Sequence, residues 1–192
     1  GLEIHQQLAG KKLFCDCPAE ILDTIPDFGV VRRLQASRSE LGTVDAAALY
    51  EQEKKKFFFY KGFYKTDCLV ELDEEPPHTV NPEALHCALQ VAKLLHCNIV
   101  DEVCVMRKVV IDGSNVSGFQ RTMLIGVSGY ITLSSGKRIG VPTLCLEEEA
   151  AKKLDDTPEF CAYNISRLGI ALIEIATAPE LATPEEAQEA AS

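Results

Sequence analysis

The sequence predicts an α+β domain built on a largely antiparallel, curved sheet with packed helices. Three observations carry that prediction. Short stretches such as "GLEIHQQL" and "YITLSSGKRIGV" have the two-residue period of strands, and a clear helical stripe occurs over 81–97. Strands precede and follow helices without regular β-α-β alternation, which argues against a parallel sheet. At 192 residues, with 46% hydrophobic and 25% charged side chains, the chain has the profile of one folded core and excludes disordered and collagen-like classes. Without an internal repeat, long linker or low-complexity tract, the whole of 1–192 is read as a single domain.

In chain order, "GLEIHQQL" places Glu3, His5 and Gln7 on one strand face, opposite Leu2 and Ile4. A carboxylate, an imidazole and an amide on one face make half of a metal site, and equally the wet face of an ordinary strand. "LFCDCPAE" sets Cys15 and Cys17 on one strand face, with Cys68 of "TDCLVELDEEPP" as a third thiol. A closed structural zinc site takes four ligands, so packed thiols are the default reading there. The basic-aromatic run from Lys54 to Tyr60 has residues that could stack on nucleic-acid bases, but it reads better as a strand edge whose Lys stems cover apolar surface.

Asn81 as cap and Pro82 at the first helical position open a helix with Leu85, Ala88, Leu89, Ala92 and Leu95 as its apolar stripe. His86 and His96 ride on it as surface or satisfied side chains. "MRKVVIDGSNVSGFQRT" then surrounds a Gly-Ser-Asn turn with Arg107, Lys108, Asp112, Gln120 and Arg121. Cations beside a glycine-containing loop suit polyphosphate, although the pattern matches neither a P-loop nor GxGxxG and also reads as a polar turn. "SSG" is a hairpin turn between "YITL" and "KRIGV". In "CLEEEA", Glu148 projects opposite Glu147 and Glu149. In "RLGIALIEIATA", Glu174 lies within an apolar run that reads as a strand buried on both faces, where a carboxylate needs a partner or a cation. Together Glu3, His5, Glu148 and Glu174 would make an oxygen-rich site with one imidazole, suited to Mg²⁺ or Mn²⁺.

A net charge of -10 argues against a surface that holds nucleic acid by bulk electrostatics, and no DNA partner is expected. No apolar run approaches the ~20 residues that span a bilayer, and the start lacks a basic leader with an apolar stretch; a cytoplasmic protein without a membrane partner is expected. The irregular placement of eight cysteines suits a reducing compartment. Both ends look cut: Gly1 leads straight into a strand, and "TPEEAQEAAS" opens a helix with Thr183 as cap and Pro184 inside it.

Taken in order, "GLEIHQQL", "LFCDCP", "RSELG", "ELDEEPP", "MRKVVIDGSNVSGFQRT", "LEEEAAKK" and "RLGIALIEIATAPE" closely resemble the N-terminal part of the GatB/GatE family of glutamyl-tRNA(Gln) amidotransferases, in its archaeal form. The resemblance implies a cradle domain like the catalytic half of glutamine synthetase, with a tRNA-binding insertion and C-terminal helical and tail domains absent from this chain. It implies ATP- and Mg²⁺-dependent activation of the γ-carboxylate of Glu-tRNA(Gln), then amidation with ammonia from a separate, asparaginase-like amidase partner. A fragment of this kind is expected to be inactive alone.

Carried over by position, the resemblance gives His5, Glu148 and Glu174 as ligands of the more permanent Mg²⁺, and Glu3 and Glu148 as those facing the nucleotide-associated ion. It places Lys108 along the path of ammonia, and phosphate or substrate contact is extended to its neighbour Arg107; Gln120 and Arg121 are nucleotide-binding candidates from the loop reading above. Zinc at Cys15, Cys17 and Cys68 stays open, since bacterial relatives bind it through two Cys pairs. The rival reading is a non-catalytic scaffold that docks a partner protein or tRNA; a third is a ligase that uses a free amino acid.

Overall fold

A computed structural model describes residues 1–36, 38 and 41–192. Ser39 and Glu40 of the "RSELG" motif lie outside the described residues. The described residues form an α+β fold of two sheets and three helices.

The larger sheet runs β1 (Glu3–Gln7), β10 (Ala171–Ala176), β7 (Arg138–Glu148), β6 (Phe119–Thr132), with β4 (Asn98–Ile99) and β5 (Val105–Val109) sharing the outer edge of β6. Each of its pairings is antiparallel. β6 and β7 are the hairpin expected at "SSG", and Gly136 supplies the positive φ of 83° in its turn. The smaller sheet runs β2 (Phe28–Arg33), β3 (Phe57–Gly62), β9 (Phe160–Asn164), β8 (Lys152–Asp156). Here the sequence reading needs correction. The basic-aromatic run forms β3, an interior strand rather than an edge, and it pairs parallel with β9, about a hundred residues away. Phe58 and Tyr60 point inward to the core while Phe57 and Phe59 stay partly exposed.

Helix α2 (Pro82–Leu94) opens as expected: the Asn81 side chain accepts from the N–H groups of Glu83 and Ala84, satisfying two donors that a helix start would leave unpaired. Ala84, Ala88 and Ala92 let it sit close on the sheet, against Met123, Ile125, Leu144, Leu146, Ala171 and Ile173. Burying each of the larger side chains contributes about 1.5–3 kcal/mol. His86 is exposed on the helix, whereas His96, expected there too, lies past its end in a turn with φ 55°, exposed and stacked on Tyr130 with 4.5 Å between ring centres. Helix α1 (Ala46–Glu53) buries no residue, and α3 (Pro184–Ala191) is capped by Thr183, whose side chain accepts from Glu186 N–H.

A second core gathers Phe58, Tyr60, Cys161, Tyr163, Ile165 and Leu168 under the smaller sheet. Its tyrosine hydroxyls donate to the loop between β5 and β6: Tyr60 to Gly113 O at 2.8 Å and Tyr163 to Asp112 O at 2.7 Å. Gly113 has φ 83°, and a Cβ there would lie 2.4 Å from the Phe58 ring, so only glycine lets the loop reach these hydroxyls.

Candidate functional site

Antiparallel register decides which acids meet. Residues directly opposite each other point to the same face, and β10 sets Glu174 opposite both His5 of β1 and Cys145 of β7. Two residues further along β7, Glu147 lies opposite Leu172 and Thr122, so it shares that face. Lys108 and Gln120, paired across β5 and β6, complete a polar face on the side of the sheet away from α2.

On this face His5 Nε2 lies 3.1 Å from Glu3 Oε1 and 3.2 Å from Glu174 Oε2. The ligating atoms of Glu3, His5 and Glu174 all fall within 4.8 Å of one another. Two carboxylates and one imidazole at that separation fit a hard divalent ion such as Mg²⁺ or Mn²⁺. Lys108 Nζ sits 3.2 Å from Glu147 and 3.5 Å from Glu174. Burial would push the lysine down, but those two carboxylates outweigh it and hold its pKa above the ordinary value, so it stays cationic. Glu147, only 1% exposed, also accepts from Gln120 Nε2 at 3.0 Å and Thr122 Oγ1 at 2.9 Å. Gln7 donates to Glu149 at 2.8 Å.

Two expectations about this region do not stand. The strand 171–176 is buried on both faces only over its first half, Ala171, Leu172 and Ile173; from Glu174 on it is partly open, and Glu174 keeps 16% of its side chain exposed on the polar face. Glu148 does not join Glu3, His5 and Glu174. Opposite Ala171 in register, it points to the α2 side, where its 5% exposed side chain pairs with Arg121. Arg121 donates to Glu148 through its backbone N–H at 2.9 Å and through its guanidinium at 3.1 and 3.2 Å. Glu147 stands where Glu148 was expected, a consequence of strand alternation.

The cationic loop cluster splits in the same way. Lys108 and Gln120 face the acids, whereas Arg121 is consumed by Glu148, and Arg107 is exposed on the opposite side with its guanidinium 4.9 Å from the centre of the Phe119 ring.

The thiols form a separate group. Cys15 and Cys17 lie in a bend between the bridge residues Lys11 and Pro18 rather than on a strand. That bend brings them to Cys68 and, unforeseen from the sequence, to Glu71, with all four ligating atoms within 4.8 Å. The signal that could have found it is Cys68-x-x-Glu71, the spacing of a ligand pair. Burial pushes Cys68 up to about 12 and raises Cys15 and Cys17 as well, with Glu71 adding to it. Glu71 accepts from Cys15 Sγ at 3.0 Å and Cys68 N–H at 2.8 Å. Beside it, fully buried Lys12 pairs with Asp67 at 2.9 Å. Three thiols and a carboxylate fit the four-ligand set of zinc. Among the described residues all eight cysteines are unpaired, and no helix is long and apolar enough to cross a membrane.

Comparison with known proteins agrees across the chain. The family described as the GatB/GatE catalytic domain matches residues 1–192. The chain is 56% identical to the E subunit of glutamyl-tRNA(Gln) amidotransferase from Methanocaldococcus jannaschii, and 53% identical to proteins of the same name from Sulfurisphaera tokodaii and Pyrobaculum aerophilum. Each match covers 100% of this chain and 30–31% of the relative, so the chain spans about a third of their length. With its entire described fold falling inside one matched domain, the chain belongs to the GatB/GatE catalytic-domain family.

Proposed function

We propose that this domain carries the ATP- and Mg²⁺-dependent step of a tRNA-dependent amidotransferase: phosphorylation of the γ-carboxylate of Glu-tRNA(Gln), then replacement of phosphate by ammonia to give Gln-tRNA(Gln). The single observation that carries this reading is the meeting of Glu3, His5 and Glu174, with Lys108, on one sheet face. Mg²⁺ bound there would draw charge from a transferring phosphoryl group and hold attacking and leaving oxygens in line.

The chain's own residues supply the rest. The His5 imidazole and the carboxylates of Glu3 and Glu174 would hold the ion, and Glu147, fixed by Gln120 and Thr122, keeps Lys108 in place. Lys108 then offers a fixed positive charge to phosphate oxygens and to the departing phosphate. In the chemistry, a carboxylate oxygen bonds to the γ-phosphorus as the bond to ADP breaks. Ammonia nitrogen next bonds to the acyl carbon, phosphate leaves with the electron pair, and a proton is lost from nitrogen.

Ammonia is proposed to come from an asparaginase-like amidase partner, in the cytoplasm. A zinc ion at Cys15, Cys17, Cys68 and Glu71 would serve structure, since it is closed by four protein ligands. The test uses the full-length protein with its amidase partner: ADP release should require Glu-tRNA(Gln), fail with free glutamate, and be lost in Glu174→Gln. Equal turnover with free glutamate would favour a free-amino-acid ligase, and no turnover at all would favour a scaffold.

A further inference from the structure

Asn115, in the loop between β5 and β6, is 2% exposed, and neither its Oδ1 nor its Nδ2 has a hydrogen-bond partner among the described residues. The usual reasons for asparagine in a turn are missing. Its φ is not positive, unlike those of Gly113 and Gly118 beside it, and its side chain makes no bond to the following backbone. A buried amide without partners is costly, so the site demands a ligand.

The amide borders a small cavity of about 20 Å³. Polar walls come from Glu71, Glu148, Arg121 and Ser117, and apolar ones from Phe14 and Leu168. One water needs roughly 10–15 Å³ of such space. The chemistry selects the occupant as sharply as the size does. Oδ1 requires a donor and Nδ2 requires an acceptor. A metal cation or an ammonium ion accepts nothing and would leave Nδ2 unpaired, besides meeting the Arg121 guanidinium. An anion donates nothing and would meet two carboxylates.

We infer that this cavity is a binding site for a single ordered water that accepts from Asn115 Nδ2, donates one hydrogen to Asn115 Oδ1 and gives the other to the buried Glu148 carboxylate. Glu148 Oε2 has one partner, Arg121 Nη1 at 3.1 Å, and so retains acceptor capacity. Glu71, on the other wall, belongs to the thiol cluster. The water therefore ties Asn115 to the ion pair beneath the sheet, and Asn115 is the residue that positions it. This inference is independent of the ion and nucleotide chemistry proposed above.

The test is nuclear magnetic resonance of the ¹⁵N-labelled protein, with Asn115→Leu as the variant. The Asn115 side-chain NH₂ should show cross-peaks to a long-lived water. Oxygen-17 relaxation dispersion should lose the amplitude of one internal water in Asn115→Leu. A wild-type NH₂ without a water cross-peak, an unchanged dispersion amplitude in a folded variant, or signals that follow the potassium or ammonium concentration would each overturn the assignment. Should Asn115→Leu fail to fold, the wild-type cross-peak decides alone.

Discussion

Replacing Glu148 by leucine is the perturbation that separates its observed role from that of a metal ligand. The side chain is 5% exposed and accepts three hydrogen bonds from Arg121, between 2.9 and 3.2 Å. Arginine does not deprotonate in a protein, so Glu148→Leu strands a guanidinium charge and a backbone N–H in the interior. Breaking a buried pair in this way costs about 3–5 kcal/mol. For a chain of this length each kcal/mol corresponds to about 2–4 °C, so the melting temperature should fall by roughly 6–20 °C. The double variant Glu148→Leu/Arg121→Met removes both charges and should recover most of the loss, because an apolar pair of similar volume often matches a buried ion pair. Thermal and urea unfolding followed by circular dichroism measure both. A single variant as stable as wild type, or a double variant no better than the single, would refute the reasoning.

Glu148→Gln, which mimics the protonated acid, tests the pH dependence. Burial raises the Glu148 carboxyl above its ordinary value, against the opposing pull of Arg121. A raised folded pKa means stability that is full below the unfolded value of about 4.3 and declines as pH rises through the folded value. Wild type should therefore lose ground to Glu148→Gln in urea unfolding as pH rises above the unfolded value of about 4.3; a gain instead would show that the guanidinium dominates. At the thiol cluster, metal analysis of protein purified without chelator should find one zinc per chain, falling in Cys68→Ser and in Glu71→Gln. Zinc unaffected by the glutamate substitution would remove Glu71 from the ligand set.

Signals in the sequence are legible where they act over a few residues. Asn81-Pro82 and Thr183-Pro184 marked helix starts because caps satisfy donors within one turn, and the two-residue period marked Glu3 and His5 as sharing a face. Glu174 stood out as a carboxylate among apolar neighbours, yet its surroundings depended on which strands flank it. Parity alone shows that Glu147 and Glu148 oppose each other; which of them meets Glu174 is set by the register of β7 against β10, a long-range pairing. The parallel pairing of β3 with β9 is likewise nonlocal, and its apolar alternation suits an edge and an interior strand equally. Glu71 escaped notice because a search for thiol pairs passes over a carboxylate three residues after Cys68.

The most direct test of the account is calorimetric titration of Mg²⁺ with ATP or ADP into wild type, Glu174→Gln and Glu148→Gln, each checked for fold by circular dichroism. The polar-face assignment predicts metal-dependent nucleotide binding that Glu174→Gln abolishes and Glu148→Gln retains. Binding lost only in Glu148→Gln, or untouched by Glu174→Gln, would contradict it.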